Sequence, residues 1–548
     1  VRRFGPSLGR RRAAGQGEII LANEDVLTAD DLNAMAEDVL QPRMRGTVSA
    51  GFKISGKALA TSHFKRNVRT ELTRMESPFK KLRAEKMNCT GTRPVLGLLL
   101  AAMLALPAFV AQAGALFTSL YSFTGANDGN QPFAGLVQGS DGYFYGTTYY
   151  GGTNGMGNVF RISASGVLTN LYSFTGSNDG ANPCAGLVQG RDGCFYGTTE
   201  YGGTNGSGAV FRITTKGALT NLHSFGGDDG ANPYASLVQG ADGYFYGTTY
   251  WGGTNGLGNV FRMSANGVLT NLYSFHSYDG ALPIAGLVQG RDGYFYGTTE
   301  FGNTIDGDEG SVFRISTNGV LTNLYFFAIG GDDGYEPWSG LVQGSDGCFY
   351  GTTEQGGPSG IGWGTAFKID TNGNLSTIYS FNDGRDGGAL VAGLVQGSDG
   401  LFYGTTCDGG SYGQYNGTVF SVSANGGLTS MYSFTGGDDG GNPKAGLVQG
   451  GDGNFYGTTQ TGGTYGYGTV FRLTVLPEFL ALTLTYSMLN LTWSTEAGGL
   501  YQLQYNSDLS SSNWINLGSP ITGTGPAFST NDSIMNGSQR FYRVVLSP

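Results

Sequence analysis

A single string, Leu-Val-Gln-Gly-x-Asp-Gly-x-Phe-Tyr-Gly-Thr-Thr, occurs seven times in this chain of 548 residues, starting at Leu136, Leu187, Leu237, Leu287, Leu341, Leu394 and Leu447. The copies lie 50 to 54 residues apart. Self-similarity at such a period means that one supersecondary unit is stacked on itself, because a unit this small cannot bury its apolar face alone.

Two further apolar segments belong to each period. A Val-Phe-Arg-Ile-like segment occupies 159–162, 210–213, 260–263, 312–315, 366–369, 419–422 and 470–473. A Leu-Tyr-Ser-Phe-like segment ends at Phe123, Phe174, Phe225, Phe275, Phe327, Phe381 and Phe434. With Leu-Val-Gln as A and Phe-Tyr-Gly-Thr-Thr as B, these become segments C and D. All four are short and β-prone; Asp-Gly separates A from B, and Asn-Gly or Ser-Gly separates C from D in most copies. No helical stripe is visible between 114 and 475. Four strands per period match a propeller blade.

The ends of the array say how the blades are arranged. It opens with a D segment at 115–123 and stops after the C segment Phe471-Arg472-Leu473. If the opening strand completes the last blade, every blade has four strands and neither end leaves an exposed edge. The sequence thus predicts an all-β fold: a seven-bladed β-propeller over 114–475, closed by its N-terminal strand. A β-solenoid is the alternative. After Pro477 the repeat ends, and alternation at Leu489, Leu491, Trp493 and at Tyr501, Leu503, Tyr505, with further strands at 514–517 and 540–546, predicts a small β-sandwich over 478–548. Trp493 and Trp514 read as its core.

Composition fits tight turns between strands: Gly accounts for 97 residues, aromatics for 13% and charged residues for only 13%. Charge is uneven. Residues 1–86 hold 17 of the 31 Lys+Arg, whereas from 114 onward 13 basic and 31 acidic residues leave a net −18. Such a surface repels nucleic acid and anionic lipid. Residues 87–113 carry Arg93, an apolar run from Val95 to Val110 and Ala111-Gln112-Ala113, which reads as a secretory signal peptide; a transmembrane anchor is the alternative, although the run is short of the ~20 residues that span a bilayer. The expectation is a secreted or cell-surface monomer with no membrane span in the mature chain. Residues 1–86, basic and without a repeat, read as a disordered upstream extension outside the exported product. The five cysteines, Cys89, Cys184, Cys194, Cys348 and Cys407, form no CxxC pair. Pairing around the Gly-Arg-Asp-Gly turn puts Cys194 opposite Gln189, not Cys184, so no disulfide is expected there.

In a propeller the A–B and C–D turns share one face, and the B–C loops and D–A connections share the other. Here the second set is long and polar (149–158 and 124–132 in the first copy), so the second face is the candidate functional face. The residues after Thr-Thr vary while the framework repeats: Tyr149-Tyr150, Glu200-Tyr201, Tyr250-Trp251, Glu300-Phe301 and Glu354-Gln355. An aromatic ring beside an acid could stack on a sugar and bond its hydroxyls; packing against the next blade is the structural alternative. An Asp precedes Gly between blades in all seven copies, at Asp128, Asp179, Asp229, Asp279, Asp333, Asp386 and Asp439. A turn cap explains them; oxygen ligation of Ca²⁺ is the sharper alternative, although no full calcium loop is present. No other cofactor is implied. The repeated strand-C Arg, replaced by Lys368 and Ser421 in two copies, reads as a structural stripe.

Catalytic signatures are missing. Only His223 and His276 follow residue 113, no metal-type His pair exists, and the Gly-rich strings lack the helix a phosphate loop needs. Carboxylates alone suffice for some sugar chemistry, which leaves a polysaccharide hydrolase or lyase as the alternative function. No catalytic residue is singled out.

The repeated string followed by Val-Phe-Arg-Ile resembles the GloVer tandem repeat of exported bacterial choice-of-anchor proteins, over about 115–475. The ending Gln539-Arg540-Phe541-Tyr542-Arg543-Val544-Val545 is similar to fibronectin III-like C-terminal domains. The resemblance implies export and repeat architecture and transfers no catalytic residue. The reading is an extracellular, non-catalytic binding or adhesion module whose partner is a polysaccharide or another cell-surface polymer, with a purely structural surface protein as a further alternative.

Overall fold

The computed structural model describes residues 21–22, 114–302, 308–358, 362–382, 384–411, 416–477, 479–485, 488–495, 497–507, 513–533 and 540–547. Apart from Leu21–Ala22, the readings of 1–86 as an extension and of 87–113 as a signal peptide lie outside these residues. Every named element among them is a strand, and no helix is long and apolar enough to cross a membrane.

Among the described residues the repeats form seven four-stranded antiparallel sheets, of the kind that make propeller blades, each in the order A–B–C–D. In the third they are Val238–Gln239, Phe245–Thr249, Asn259–Met263 and Leu269–Ser274. Gln239 pairs with Phe245, Tyr246 with Arg262, and Arg262 with Thr270. The seventh sheet takes its D strand from the start of the array. Ala115–Ser122 runs antiparallel to Thr469–Val475, with Ala115 opposite Val475 and Ser119 opposite Phe471. The opening strand therefore lies beside Phe471, as the strand count requires.

The A–B turn differs from expectation by one residue. Gln189 pairs with Phe195, and the Gly190 amide donates to the Cys194 carbonyl at 2.8 Å. Cys194 thus faces Gly190, not Gln189. The loop is three residues long, and Gly193 ends it at φ 77°, a left-handed position where glycine costs least. Cys184, Cys194, Cys348 and Cys407 are all free.

The repeated string is a list of contacts between neighbouring sheets. The B-strand Tyr stacks on the B-strand Phe of the next repeat: Tyr145 on Phe195, Tyr196 on Phe245, and so on to Tyr403 on Phe455, with centroids 3.9–4.1 Å apart. The seventh stack joins Tyr456 to Phe144 of the first repeat at 4.0 Å. The first Thr of Thr-Thr donates to a carbonyl ahead of the next A strand, Thr147 to Ala185 at 3.0 Å and, from seventh to first, Thr458 to Ala134 at 3.1 Å. The Gln accepts from the previous A–B turn, Gln189 from Ser140 N and Gln138 from Gly451 N, both at 2.9 Å. Asp141 accepts the Tyr145 hydroxyl at 2.7 Å; burial, then this bond, pushes that phenol up to about 12. A Cβ on Gly247 would lie 2.7 Å from both Leu237 and Phe261, so no larger residue fits there. The buried clusters are accordingly shared between repeats: Tyr145, Val159 and Phe174 pack with Leu187, Phe195 and Phe211, and Phe123, Leu136 and Phe144 pack with Tyr456 and Val470.

After Pro477 the chain forms two further antiparallel sheets. One contains Phe479–Thr485, Met488–Ser494 and Ala527–Ser533; the other contains Phe541–Ser547 and Leu500–Asn506, with short strands at Ile515–Asn516 and Ile521–Thr522 and the pair Leu21–Ala22 on its edge. Leu491 and Trp493 of the first pack with Tyr501, Leu503 and Tyr542 of the second. Trp493 is core as expected. Trp514 is not: it is half-exposed, with the Arg543 guanidinium 4.2 Å from its ring centroid.

Candidate binding face

The B–C loop and the D–A connection of one repeat are joined by short bridges: Asn130 to Tyr150, Ala181 to Tyr201, Ala231 to Trp251, Ala281 to Phe301 and Tyr335 to Gln355. Each connection also reaches back to the preceding repeat. The Gln131 amide donates to the Tyr467 carbonyl, and that of Asn182 to Met156. To do both, one non-glycine residue per repeat takes a left-handed conformation, from Gln131 at φ 54° to Asn442 at 54°, including Leu282 at 56°. Such backbone strain persists only where surrounding structure over-determines it. The loops are therefore built into the repeat framework.

The two residues after Thr-Thr behave differently. The second is presented to solvent: Tyr150 is 44% exposed, Tyr201 45% and Trp251 45%. Phe301 is half-buried. The first is drawn between repeats. Glu200 is 1% exposed and accepts the Tyr149 hydroxyl at 2.7 Å and the Tyr234 hydroxyl at 2.6 Å. Tyr250 donates to Glu300 at 2.6 Å. Burial, reinforced by these carboxylates, holds the Tyr149, Tyr234 and Tyr250 hydroxyls well above the usual phenol range. The hydrogen bond to Glu200, with burial, pushes Tyr201 up to about 12.

Sequence reading missed a third variable position, the residue that follows the inter-blade proline in most copies. Phe133 packs on Tyr149 with centroids 5.2 Å apart, Tyr234 on Tyr250 at 5.3 Å, and Lys444 Nζ lies 5.1 Å from the Phe133 centroid. Trp338 holds this position in the fifth repeat, and its indole N–H has no hydrogen-bond partner. The signal was present: these residues vary between an otherwise repeated Pro and Leu-Val-Gln-Gly.

Carboxyl groups gather on one side of this face. Burial, then repulsion from Glu336 and Glu300, pushes Glu354 up to about 7, with Lys444 opposing. Glu300, Glu309 and Asp408 are also raised, burial being the largest cause in each. Glu354 thus keeps a substantial protonated fraction up to neutrality, and a protonated carboxyl can donate to a hydroxyl or glycosidic oxygen.

The inter-blade aspartates have other duties. Tyr121, Tyr172, Tyr273, Tyr325, Tyr379 and Tyr432 donate their hydroxyls to Asp128, Asp179, Asp279, Asp333, Asp386 and Asp439, and His223 Nε2 lies 2.7 Å from Asp229. Several also cap a backbone amide, such as Thr124 N on Asp128 at 2.8 Å. Among the described residues no group of three or more His, Cys, Asp or Glu is placed to hold a metal ion.

The model of the Gloeobacter/Verrucomicrobia repeat matches residues 109–218, 166–363 and 344–508. No curated protein matches this chain. Among solved structures, a gluconolactonase of Xanthomonas campestris is similar at 12% identity over 68% of this chain and 93% of its own, with a TM-score of 0.35. A puromycin hydrolase is similar at 11% identity over 70% and 62%, with a TM-score of 0.42. A xylan β-1,4-xylosidase from Bacillus halodurans is similar at 13% identity over 76% and 98%, with a TM-score of 0.27.

Proposed function

We propose that this chain, which belongs to the Gloeobacter/Verrucomicrobia repeat family, closes its seven sheets into one seven-bladed propeller and works outside the cell as a glycan-binding module. Contacts from the seventh repeat to the first, of the same kind as those between the others, support the ring. The two C-terminal sheets are read as a fibronectin III-like sandwich. The partner is a polysaccharide or other surface polymer, and export follows the signal peptide read at 87–113.

One observation carries the binding site: Tyr150, Tyr201 and Trp251 occupy the same position in three consecutive repeats, each about half exposed on loops pinned by the framework. Rigid aromatic faces spaced along a curved rim suit successive rings of a sugar chain, and the buried Glu200 and Glu300 behind them hold the Tyr149 and Tyr250 hydroxyls in place. The test is retention of the full chain on a panel of immobilised polysaccharides. Binding to at least one, lost in a Tyr150→Ala, Tyr201→Ala, Trp251→Ala triple variant that melts at the parental temperature, supports the reading. Absence of binding, or equal binding by the variant, refutes it and leaves a purely structural surface protein.

Glu354 favours a second reading. A carboxyl group titrating at about 7 beside other carboxylates has the protonation state a general acid requires. Release of oligosaccharides from the same panel, abolished in Glu354→Gln with binding retained, would make the face the active site of a hydrolase or lyase.

A further inference from the structure

Six of the seven repeats place a basic side chain against the A–B turn. Arg161, Arg212, Arg262, Arg314 and Arg472 lie beside the hydroxyls of Tyr145, Tyr196, Tyr246, Tyr296 and Tyr456, and Lys368 Nζ is 2.8 Å from Asp346 Oδ2. Three of the arginines also cover an exposed tyrosine of the turn, Arg161 on Tyr143 at 4.8 Å, with Arg262 on Tyr244 and Arg314 on Tyr294 at 5.1 Å. Each of these six Asp-Tyr pairs thus has a cation of its own.

The sixth repeat keeps the pair and drops the cation. Tyr403 donates to Asp399 at 2.7 Å, but its cross-strand partner is Ser421, which is buried with its hydroxyl on the Met431 sulfur at 3.6 Å. Where the cation would run there is a cavity of about 430 Å³. Asp399, Tyr403, Ser421 and Met431 line it from the repeat, and Leu480 and Ala527 from the C-terminal sheets; none of the described residues that line it is basic. The C-terminal sheets approach through the Ala497 amide, which donates to Ser398 Oγ at 2.8 Å. They cover this turn, so Asp399 alone of the seven turn aspartates is half-buried while the other six are exposed. The carboxylate that has lost its cation is the one most withdrawn from water, the reverse of what desolvation alone would select.

We propose that this cavity is a seat for an external organic cation, a guanidinium on an aliphatic stem, which takes the place of the missing strand-C side chain. The planar head reaches Asp399 and can bond both its oxygens. The stem lies along Met431, Leu480 and Ala527, as the methylenes of a buried arginine do. The seat lies on the turn face and is independent of the glycan reading.

The test uses the full chain, with N-butylguanidinium as probe and N-butylurea, its neutral counterpart, as control, followed by calorimetry and thermal melting. The expected result is saturable binding of the guanidinium only, weakened at least about tenfold in Asp399→Asn and lost in Ser421→Arg, which restores the side chain of the sibling repeats. Asp242→Asn, in a repeat that has its own arginine, should bind as the parent does. Should Ser421→Arg fail to fold, Asp399→Asn decides. No binding by the parent chain, equal binding of the urea, or equal weakening in Asp242→Asn would overturn the proposal, the last by reducing the effect to attraction toward an acidic surface.

Discussion

Strand B and the two residues that follow it make the sharpest contrast in the molecule. Phe-Tyr-Gly-Thr-Thr is the same in all seven repeats and buried in all seven. The next two residues share neither identity nor burial: Glu200 is 1% exposed and Trp251 45%. The strand faces a neighbouring repeat that is itself a copy, so every copy meets the same partner and only one solution fits. The loop residues face a different neighbour or solvent in each copy and are free to diverge. Sameness across the copies therefore marks work done in packing one repeat on the next, and difference marks surface available for something else.

The largest effect expected of any change is on the opening strand, Ala115–Ser122. Removing residues 114–123 takes away the partner of Thr469–Val475 and uncovers Phe434 and Phe471, which Phe117 covers. The shortened chain should aggregate, visible on size exclusion as species larger than the parent or as precipitate. A shortened chain that elutes as the parent does, with unchanged melting, would break the contrast. Next comes the repeated strand: Phe245→Ala removes a buried ring stacked on Tyr196 at 4.0 Å and should cost about 3–5 kcal/mol in denaturant unfolding.

A half-buried loop residue, Glu354, should fall between the two classes. The Glu354 carboxyl rises from 4.5 to about 7 on folding, so the native state holds a proton that the unfolded chain releases. By linkage, stability falls as pH rises from about 4.5 to 7, and the loss is complete above that window. Glu354→Gln should flatten this part of the pH–stability curve, by an amount on the order of 1–2 kcal/mol after solvent screening. Tyr246→Phe keeps the stack on Phe295 and removes only the hydroxyl bonded to Asp242 at 2.6 Å, a loss of about 1 kcal/mol. Smallest is Trp251→Ala, expected within about 0.5 kcal/mol of the parent because the ring is half in solvent. A loss comparable to Phe245→Ala would move Trp251 into the framework and remove it from the binding face.

Period and strand count were legible because both are written in covalent order. The opening D segment without A, B or C pointed to its partner at Phe471 because a lone outer strand needs a sheet to complete. What could not be read was which variable side chain turns inward. Glu200 and Trp251 both follow a Thr-Thr pair, yet Glu200 lies between two tyrosines, one of which, Tyr234, comes from the next repeat and a position the sequence had not flagged. Ser421 was visible as an exception in the arginine series. Its setting became apparent only with the C-terminal sheets in place, because a residue's exposure depends on elements that carry no trace in its own repeat. Trp514 erred the other way: a large ring in a strand-like segment reads as core, but it lies beside Arg543 at the surface.

The pairing of Ala115 with Val475 has a mechanical corollary. The chain enters and leaves the array at the same end of one antiparallel ladder, where the Leu476 amide also bonds the Gly114 carbonyl at 2.9 Å. Tension drawn between these two points loads the rungs one after another, as in opening a zipper, instead of shearing all of them together. A pull along the polypeptide would therefore peel this strand first and at low force, while the six other sheets, whose strands are consecutive in the chain, stay unloaded until the ladder has parted.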